Sequence, residues 1–141
     1  MDMLEIGKQV LASQPFSGLV GTVLERFDAE GTELRIPIHG ALMQQNGFVH
    51  GGVLSYAADN ALTFAGGAAL GIAVITSEYK INYLRPAMGR ELIARAAAVH
   101  AGKSQAVCRC DIFAIDEDGK ETLCAIAQGT IVRLSAPSSN E

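Results

Sequence analysis

Charge is scarce in this sequence, and none of it is gathered into a basic cluster. Charged residues make up 18% of the 141 residues, against roughly 25% in typical globular domains. Asp and Glu number 15 and Lys and Arg number 11, which gives a formal net charge of −4. Because electrostatic binding of nucleic acid needs a basic patch, we expect no nucleic-acid partner. So little charge on a small chain favours burial of surface in an oligomer.

A long uninterrupted apolar segment is also missing. The most apolar stretch, residues 61–76, is rich in glycine and contains Thr63. It is shorter than the about 18 apolar residues expected of a transmembrane helix. The N-terminal residues carry acidic side chains and no apolar run, unlike a signal peptide. We therefore expect a cytoplasmic protein with no membrane partner.

Cysteine and histidine are too few and too scattered for a disulfide framework or a metal site. Cys108 and Cys110 form a C-x-C pair on the predicted core face of a strand, and Cys124 is the third cysteine. An odd number of thiols fits reduced cysteines in the cytosol. The three histidines show no metal-ligand spacing with one another or with the cysteines. We expect neither a metal nor a redox cofactor.

Turn-forming residues divide the chain into one short helix, one long helix and six strands. A helix is predicted within residues 1–13, ended by Pro15 and Gly18. Residues 51–70 predict a helix that is apolar nearly all round and must therefore be buried on most sides. Strands are predicted over residues 19–27, 32–38, 73–84, 91–101, 104–115 and 122–134. We expect an α+β fold in which an antiparallel sheet curls around the long helix.

The residues with chemical potential cluster where the long helix begins. Gly51 and Gly52 open that helix, so their backbone N–H groups lack partners within it and can hold a developing negative charge. Gln44 and His50 precede them and can add side-chain donors. Asp59 is the only charged side chain in the helix. A lone carboxylate in an apolar helix is costly unless it is paired or used in chemistry.

These residues carry a resemblance to a known family. The pattern Gly47-x-x-His50-Gly51-Gly52, with Asp59 nine residues after the histidine, resembles the hotdog-fold acyl-CoA thioesterases. The most similar branch contains the phenylacetate-degradation and 4-hydroxybenzoyl-CoA thioesterases, and residues 76–87 are similar to that family's central strand and its exit. The resemblance implies a hotdog domain over residues 17–134, an N-terminal helix and lead-in over 1–16, and a frayed tail over 135–141. It also implies a homodimer, paired into a tetramer.

The same resemblance implies a role for each site residue. The Gly51 N–H and the Gln44 side chain would hold the thioester oxygen, with His50 ordering the loop or taking part in the chemistry. Asp59 would activate water as a general base or attack the thioester directly, and the hydroxyl of Thr76 would hold the water or Asp59. Where the family usually has Asn, this sequence has Gln44; a one-residue loop shift would bring Asn46 there instead. The predicted substrate-binding residues, with CoA as part of the substrate, are Gly52, Asn46, Arg85, Arg90, Lys103 and Ser104.

Helix geometry adds a prediction of its own. Gly51 and Asp59 are eight residues apart, which is roughly 12 Å along a helix axis. A single thioester carbonyl cannot lie ~3 Å from the Gly51 N–H and also within reach of Asp59 on the same helix. We therefore predict that each site takes Gly51, His50 and Gln44 from one protomer and Asp59 from the other.

Three other functions share parts of this pattern. An acyl-thioester hydratase or dehydratase is disfavoured because the helix does not start with a Pro-Gly pair. A non-catalytic acyl-CoA sensor would lack the helix carboxylate or carry a DNA-binding extension, whereas Asp59 is present and the 14 residues before Pro15 are too few for a DNA-binding domain. An α/β-hydrolase would need a Gly-x-Ser-x-Gly motif, which the sequence does not contain.

Overall fold

The computed structural model describes residues 1–134, in which a six-stranded antiparallel sheet packs against one long helix. The helices are α1 (Met3–Ala12), α2 (Pro15–Val20) and α3 (Gly51–Leu70). The strands are β1 (Val23–Asp28), β2 (Gly31–Pro37), β3 (Val74–Tyr83), β4 (Glu91–Ala101), β5 (Gln105–Ile115) and β6 (Glu121–Arg133). The strand order is β1-β2-β4-β5-β6-β3. The predicted α+β fold is thereby confirmed, and the predicted tail lies outside the described residues.

The central helix α3 lies close against the sheet because small residues line its buried face. Ala57, Ala58 and Ala61 are fully buried, and a Cβ added at Gly66 would overlap the side chain of Ile131 on β6. At the far end of the helix, the Arg133 guanidinium donates hydrogen bonds to the carbonyl oxygen of Leu70 at 2.8 and 3.1 Å. A carbonyl oxygen of the last helical turn, which has no partner within the helix, thereby accepts from a positively charged side chain.

The N-terminal prediction is wrong in one respect. Leu19 and Val20 belong to α2 rather than to a strand, and β1 begins only at Val23. Pro15 does not simply end α1; it starts a second helix, since proline fits the first turn, where no N–H partner is needed. Gly21, with φ of 92°, ends that helix in the left-handed conformation. The predicted boundary between residues 16 and 17 falls inside α2.

Strand β3 lies at an edge of the sheet and carries a bulge that sets the direction of its side chains. It pairs only with β6 in the part of the chain that the structure describes, and the register shifts between Thr76 and Glu78. Because a bulge adds one residue, side-chain alternation changes phase there. Thr76 on one side and Tyr79 on the other consequently both contact α3.

The three cysteines are buried, which confirms the predicted core face for Cys108 and Cys110 and adds Cys124. Burial raises the pKa of the Cys108 thiol to about 11 and also raises the pKa values of Cys110 and Cys124. The thiols are therefore protonated at neutral pH.

Within residues 1–134, no helix is long and apolar enough to span a membrane.

Candidate active site

Asp59 is held by two threonine hydroxyls midway along α3. The Thr76 hydroxyl donates to Oδ1 of Asp59 at 2.7 Å. The Thr63 hydroxyl, one helical turn beyond, donates to the backbone oxygen of Asp59 at 2.8 Å, and the two hydroxyl oxygens are 2.8 Å apart. Oδ2 of Asp59 accepts no hydrogen bond from any residue in 1–134. The carboxylate thus has one anchored oxygen and one available for a substrate or a water.

This carboxylate half of the site opens to solvent as a depression beside β3. The residues that line it include Asp59, Thr63, Thr76, Tyr56 and Phe16. The rings of Phe16 and Tyr56 pack edge to face, with centroids 5.1 Å apart. Phe16 is still 57% exposed, so its ring borders the opening.

A second cluster lies at the start of α3 and supplies hydrogen-bond donors. We call it the donor half; it contains Gln44, His50 and Gly51. His50 precedes the helix, and its Nδ1 accepts the N–H of Gly52 at 2.8 Å. A neutral His50 must therefore carry its proton on Nε2. The Gly51 N–H makes no hydrogen bond within residues 1–134. Of the two glycines, only Gly51 offers a free backbone donor among the described residues, while His50 caps the helix.

The loop before the helix fixes the side chain of Gln44. The side-chain amide oxygen of Gln44 accepts a hydrogen bond from the backbone N–H of Asn46. The backbone N–H of Gln44 donates to the carbonyl oxygen of Phe48 at 2.8 Å. Because a backbone N–H needs an acceptor, the NH₂ group of Gln44 is the part left for a ligand. Gln44 lines a shallow depression with Gly51, whereas Asn46 is exposed at the loop tip.

Tyr83, which the sequence analysis did not select, lies directly over the helix start. Its hydroxyl donates to the carbonyl oxygen of Gly51 at 2.9 Å, and its ring would lie 3.5 Å from a Cβ at Gly51. Tyr83 lines the same depression as Gln44 and Gly51. Nothing in a strand sequence alone indicates that an exposed tyrosine reaches a helix terminus.

The carboxylate half and the donor half are separate on one chain. Strand β3 runs antiparallel to α3 and contacts it at three successive levels: Tyr83 with Gly51, Tyr79 with Ser55, and Thr76 with Asp59. The two depressions share no lining residue. On one protomer the two clusters are therefore separate, with a segment of α3 between them.

The sequence profile of the thioesterase superfamily matches residues 46–121, more than half of the chain. The chain belongs to this superfamily. A thioesterase family protein from Silicibacter pomeroyi is 31% identical over 91% of this chain and 95% of its own, with a TM-score of 0.86. A thioesterase from Haemophilus influenzae is 25% identical over 100% and 96%, with a TM-score of 0.82. The E. coli PaaI protein from the phenylacetic acid degradation operon is similar in fold (20% identity over 96% and 98%, TM-score 0.78).

Membership confirms the predicted hotdog fold and the predicted class of enzyme, a thioester hydrolase. In this thioesterase the residues predicted to bind CoA divide between the two ends of the sheet. Arg85 follows β3 and lines the donor half, and Arg90 precedes β4. Lys103 and Ser104 lie in the turn between β4 and β5, at the opposite end. Since β4 has 11 residues, the two groups are about 35 Å apart on one chain.

After Tyr83, Thr63 is the second residue of the candidate site that the sequence analysis missed. It follows Asp59 by four positions, so it lies on the same face of α3. That spacing was the available signal, because a hydroxyl one turn from a lone carboxylate is well placed to contact it. Thr76 was predicted at the site, and the structure brings it to Asp59 through the bulge in β3.

Proposed function

We propose that this thioesterase hydrolyses acyl-CoA thioesters to free acid and CoA, in sites shared between two chains of a homodimer. The observation that carries the proposal is the separation of the carboxylate half from the donor half on each protomer. Asp59 and Gly51 are eight residues apart in one continuous helix, roughly 12 Å. Hydrogen-bond donors must lie about 3 Å from the oxyanion they stabilise. One thioester carbonyl can use both groups only if they come from different chains.

The edge of β3 supports the way in which the two chains would meet. Its outer edge is unpaired in the described chain, and the neighbouring apolar side chains of Ile72, Ile75, Leu84 and Met88 are about half exposed. An unpaired strand edge is a template for pairing with another chain. Antiparallel pairing of β3 with its copy would set the two α3 helices antiparallel across a two-fold axis. The carboxylate half of one chain would then face the donor half of the other.

The same pairing would also unite the residues proposed to bind CoA. A two-fold axis through β3 brings one end of the first sheet beside the opposite end of the second. Arg85 of one protomer would thereby approach the end that carries Lys103 and Ser104 of its copy. Cationic side chains from both chains could then contact the phosphates of one CoA. The low overall charge further supports our proposal that two such dimers pair.

The chemistry begins with polarisation of the thioester carbonyl. Its oxygen would accept hydrogen bonds from the Gly51 N–H and from the NH₂ group of Gln44. Oδ2 of Asp59 in the other protomer would take a proton from water while the water oxygen bonds to the carbonyl carbon. Collapse of the tetrahedral intermediate breaks the carbon–sulfur bond, and the CoA thiolate leaves and takes up a proton.

The hydroxyls around Asp59 hold this residue without using Oδ2. Thr76 donates to Oδ1, and Thr63 donates to the backbone oxygen of Asp59. The alternative use of the same Oδ2 is direct attack on the carbonyl carbon. The CoA thiolate would then leave, and water would hydrolyse the resulting anhydride.

A hydrolysis screen tests the proposal. Wild-type protein and Asp59→Asn are assayed with aryl-, short-, medium- and long-chain acyl-CoAs, and released thiol is measured. We expect at least one class to be hydrolysed by the wild type and on the order of 100-fold more slowly by the variant. Hydrolysis of none of them above the Asp59→Asn rate would overturn acyl-CoA as the substrate.

A further inference from the structure

Two oppositely charged side chains flank the middle of the edge strand β3. Glu78 and Lys80 are exposed, and Tyr79 between them contacts Ser55 of α3 at 2.5 Å. Because side chains alternate along a strand, Glu78 and Lys80 extend from the face of the sheet away from α3. The Thr130 hydroxyl on β6 donates to Oε1 of Glu78 at 2.5 Å, which leaves Oε2 available. Lys80 makes no ion pair or side-chain hydrogen bond within residues 1–134.

Tyr79 and Ser55 form the middle of the three contact levels between β3 and α3. Ser55 lies four residues after Gly51 and four residues before Asp59 in the same helix. For Gly51 of one chain to lie at the level of Asp59 of its copy, a two-fold axis must cross α3 at the level of Ser55. On β3 that level belongs to Tyr79. A shared site therefore requires an axis through Tyr79.

Antiparallel pairing of two identical strands allows only certain positions of this axis. Residues directly opposite each other point to the same face of the sheet, whereas consecutive residues point to opposite faces. The axis must therefore pass through a residue, which then faces its own copy. With the axis at Tyr79, Glu78 of each chain lies opposite Lys80 of the other, and two ion pairs can form. With the axis one residue away, either Lys80 or Glu78 would face an identical charge, which is destabilising.

We propose that Glu78 and Lys80 are positioning residues, which set the register in which two copies of this chain pair along β3. Among the registers centred on residues 78, 79 and 80, only the one at Tyr79 places unlike charges opposite each other. The positions of Gly51 and Asp59 require the same register, although they lie on the other face of the sheet. Moving the axis by one residue shifts the partner strand by two residues, about 7 Å, and would take Asp59 away from the carbonyl. The inference rests on the proposed function, because it concerns the shared site.

Charge reversal tests the proposed pairs. Glu78→Lys would place two lysines opposite each other, and Lys80→Glu would place two glutamates opposite each other. Each variant should raise the Kd of the dimer by on the order of tenfold, measured by sedimentation equilibrium. It should also lower kcat/KM at concentrations where the dimer dissociates. Lys8→Glu makes the same change at an exposed position of α1 and should leave both values unchanged.

The double variant Glu78→Lys/Lys80→Glu restores unlike charges at both positions. Its Kd and kcat/KM should return to within a few-fold of wild type. Because the double variant also lacks the Thr130 contact to Glu78, a merely structural role of that contact cannot account for the recovery. An unchanged Kd in both single variants, or a double variant as impaired as the single ones, would overturn the inference.

Disulfide cross-linking measures the register without relying on the strength of the ion pairs. Chains with Glu78→Cys and Lys80→Cys are co-expressed, and cross-linking under mild oxidation is followed by non-reducing electrophoresis. Directly opposite residues have Cβ atoms about 5 Å apart, whereas residues offset by two positions lie about 7–8 Å apart, too far for an unstrained disulfide. The mixed dimer should therefore cross-link on the order of tenfold faster than either variant alone. Faster cross-linking of either variant with itself would place the axis at that residue and overturn the inference.

Failure of the inference and failure of the proposed function give different results. If the register differs while acyl-CoA is hydrolysed and Asp59→Asn and Gln44→Ala still rescue each other, only the inference is overturned. If the active protein forms no dimer, the shared site is overturned together with the inference. If no acyl-CoA is hydrolysed, the proposed reaction is overturned, whatever register the cross-links report.

Discussion

The Thr76 hydroxyl donates a 2.7 Å hydrogen bond to Oδ1 of Asp59, although the two residues lie on different elements and 17 positions apart. The contact depends on the bulge in β3, which turns Thr76 toward α3. It leaves Oδ2 as the oxygen that can reach a water. The oxygen proposed to take the proton is thus determined by the strand rather than by the helix on which Asp59 lies.

Asp59→Asn should retain the fold and the proposed dimer and lose on the order of 100-fold or more in kcat, because an amide cannot take a proton from water. KM should change little, since Asp59 does not contact CoA in the proposed site. Steady-state kinetics measure both parameters, and circular dichroism with size-exclusion chromatography controls for folding. A variant within a few-fold of wild type would exclude Asp59 as the base.

Thr76→Ala should reduce kcat by about tenfold, which corresponds to the loss of roughly one hydrogen bond. Thr76→Ser keeps the hydroxyl and should restore most of the rate. Thr63→Ala should have a smaller effect, because its hydroxyl donates to a backbone oxygen and not to the carboxylate. The kcat values of the three variants, measured beside Asp59→Asn, check this order. A loss in Thr76→Ala larger than in Asp59→Asn would reverse the assigned roles.

Two inactive variants should rescue each other if the site is shared. In a mixed dimer of Asp59→Asn and Gln44→Ala, one site carries both lesions and the other carries neither. Random pairing of equal amounts gives about half mixed dimers, so the unfractionated mixture should reach roughly a quarter of wild-type activity and purified mixed dimers roughly half. Co-expression with two different affinity tags isolates the mixed dimers, and the residual activity of each parent is subtracted. Purified mixed dimers no more active than their parents would place each site within one chain.

Tyr83→Phe should lower kcat by about three- to tenfold, because it removes the hydrogen bond that holds the Gly51 peptide beside the free Gly51 N–H. Tyr79→Phe is the matched control: it removes a tyrosine hydroxyl contact to Ser55, one level along the same strand and helix. Its kcat should stay near wild type. Equal losses in kcat for the two variants would mean that Tyr83 contributes only to general stability.

Two adjacent glycines of α3 should respond oppositely to alanine. Gly66→Ala forces a Cβ into Ile131 and should lower the free energy of unfolding by about 1–3 kcal/mol. Gly67→Ala meets only ordinary contacts, the nearest 3.7 Å away on Val74, and should raise that free energy by about 0.5–1 kcal/mol. Urea unfolding monitored by circular dichroism measures both. A stabilised Gly66→Ala variant would contradict the close packing of α3 on β6.

The sequence predicts α3 and the spacing of its site residues because a 20-residue apolar segment with one carboxylate is too long for a typical strand and fits a buried helix. It does not predict the second N-terminal helix, since Pro15 is compatible with both a helix end and a helix start. Tyr83 and the bulge beyond Thr76 are also missed, because both depend on how β3 is seated against α3. The separation of Arg85 from Lys103 becomes apparent only when strand order places them at opposite ends of the sheet.

The burial of the three cysteines matters for a protein that releases a thiol at each turnover. Thiol–disulfide exchange proceeds through the thiolate, and the raised pKa values of Cys108, Cys110 and Cys124 keep these groups protonated. CoA disulfides and colorimetric thiol reagents should therefore leave the folded protein unmodified. A mixture of the released thiol and its disulfide should therefore not convert these three cysteines into mixed disulfides.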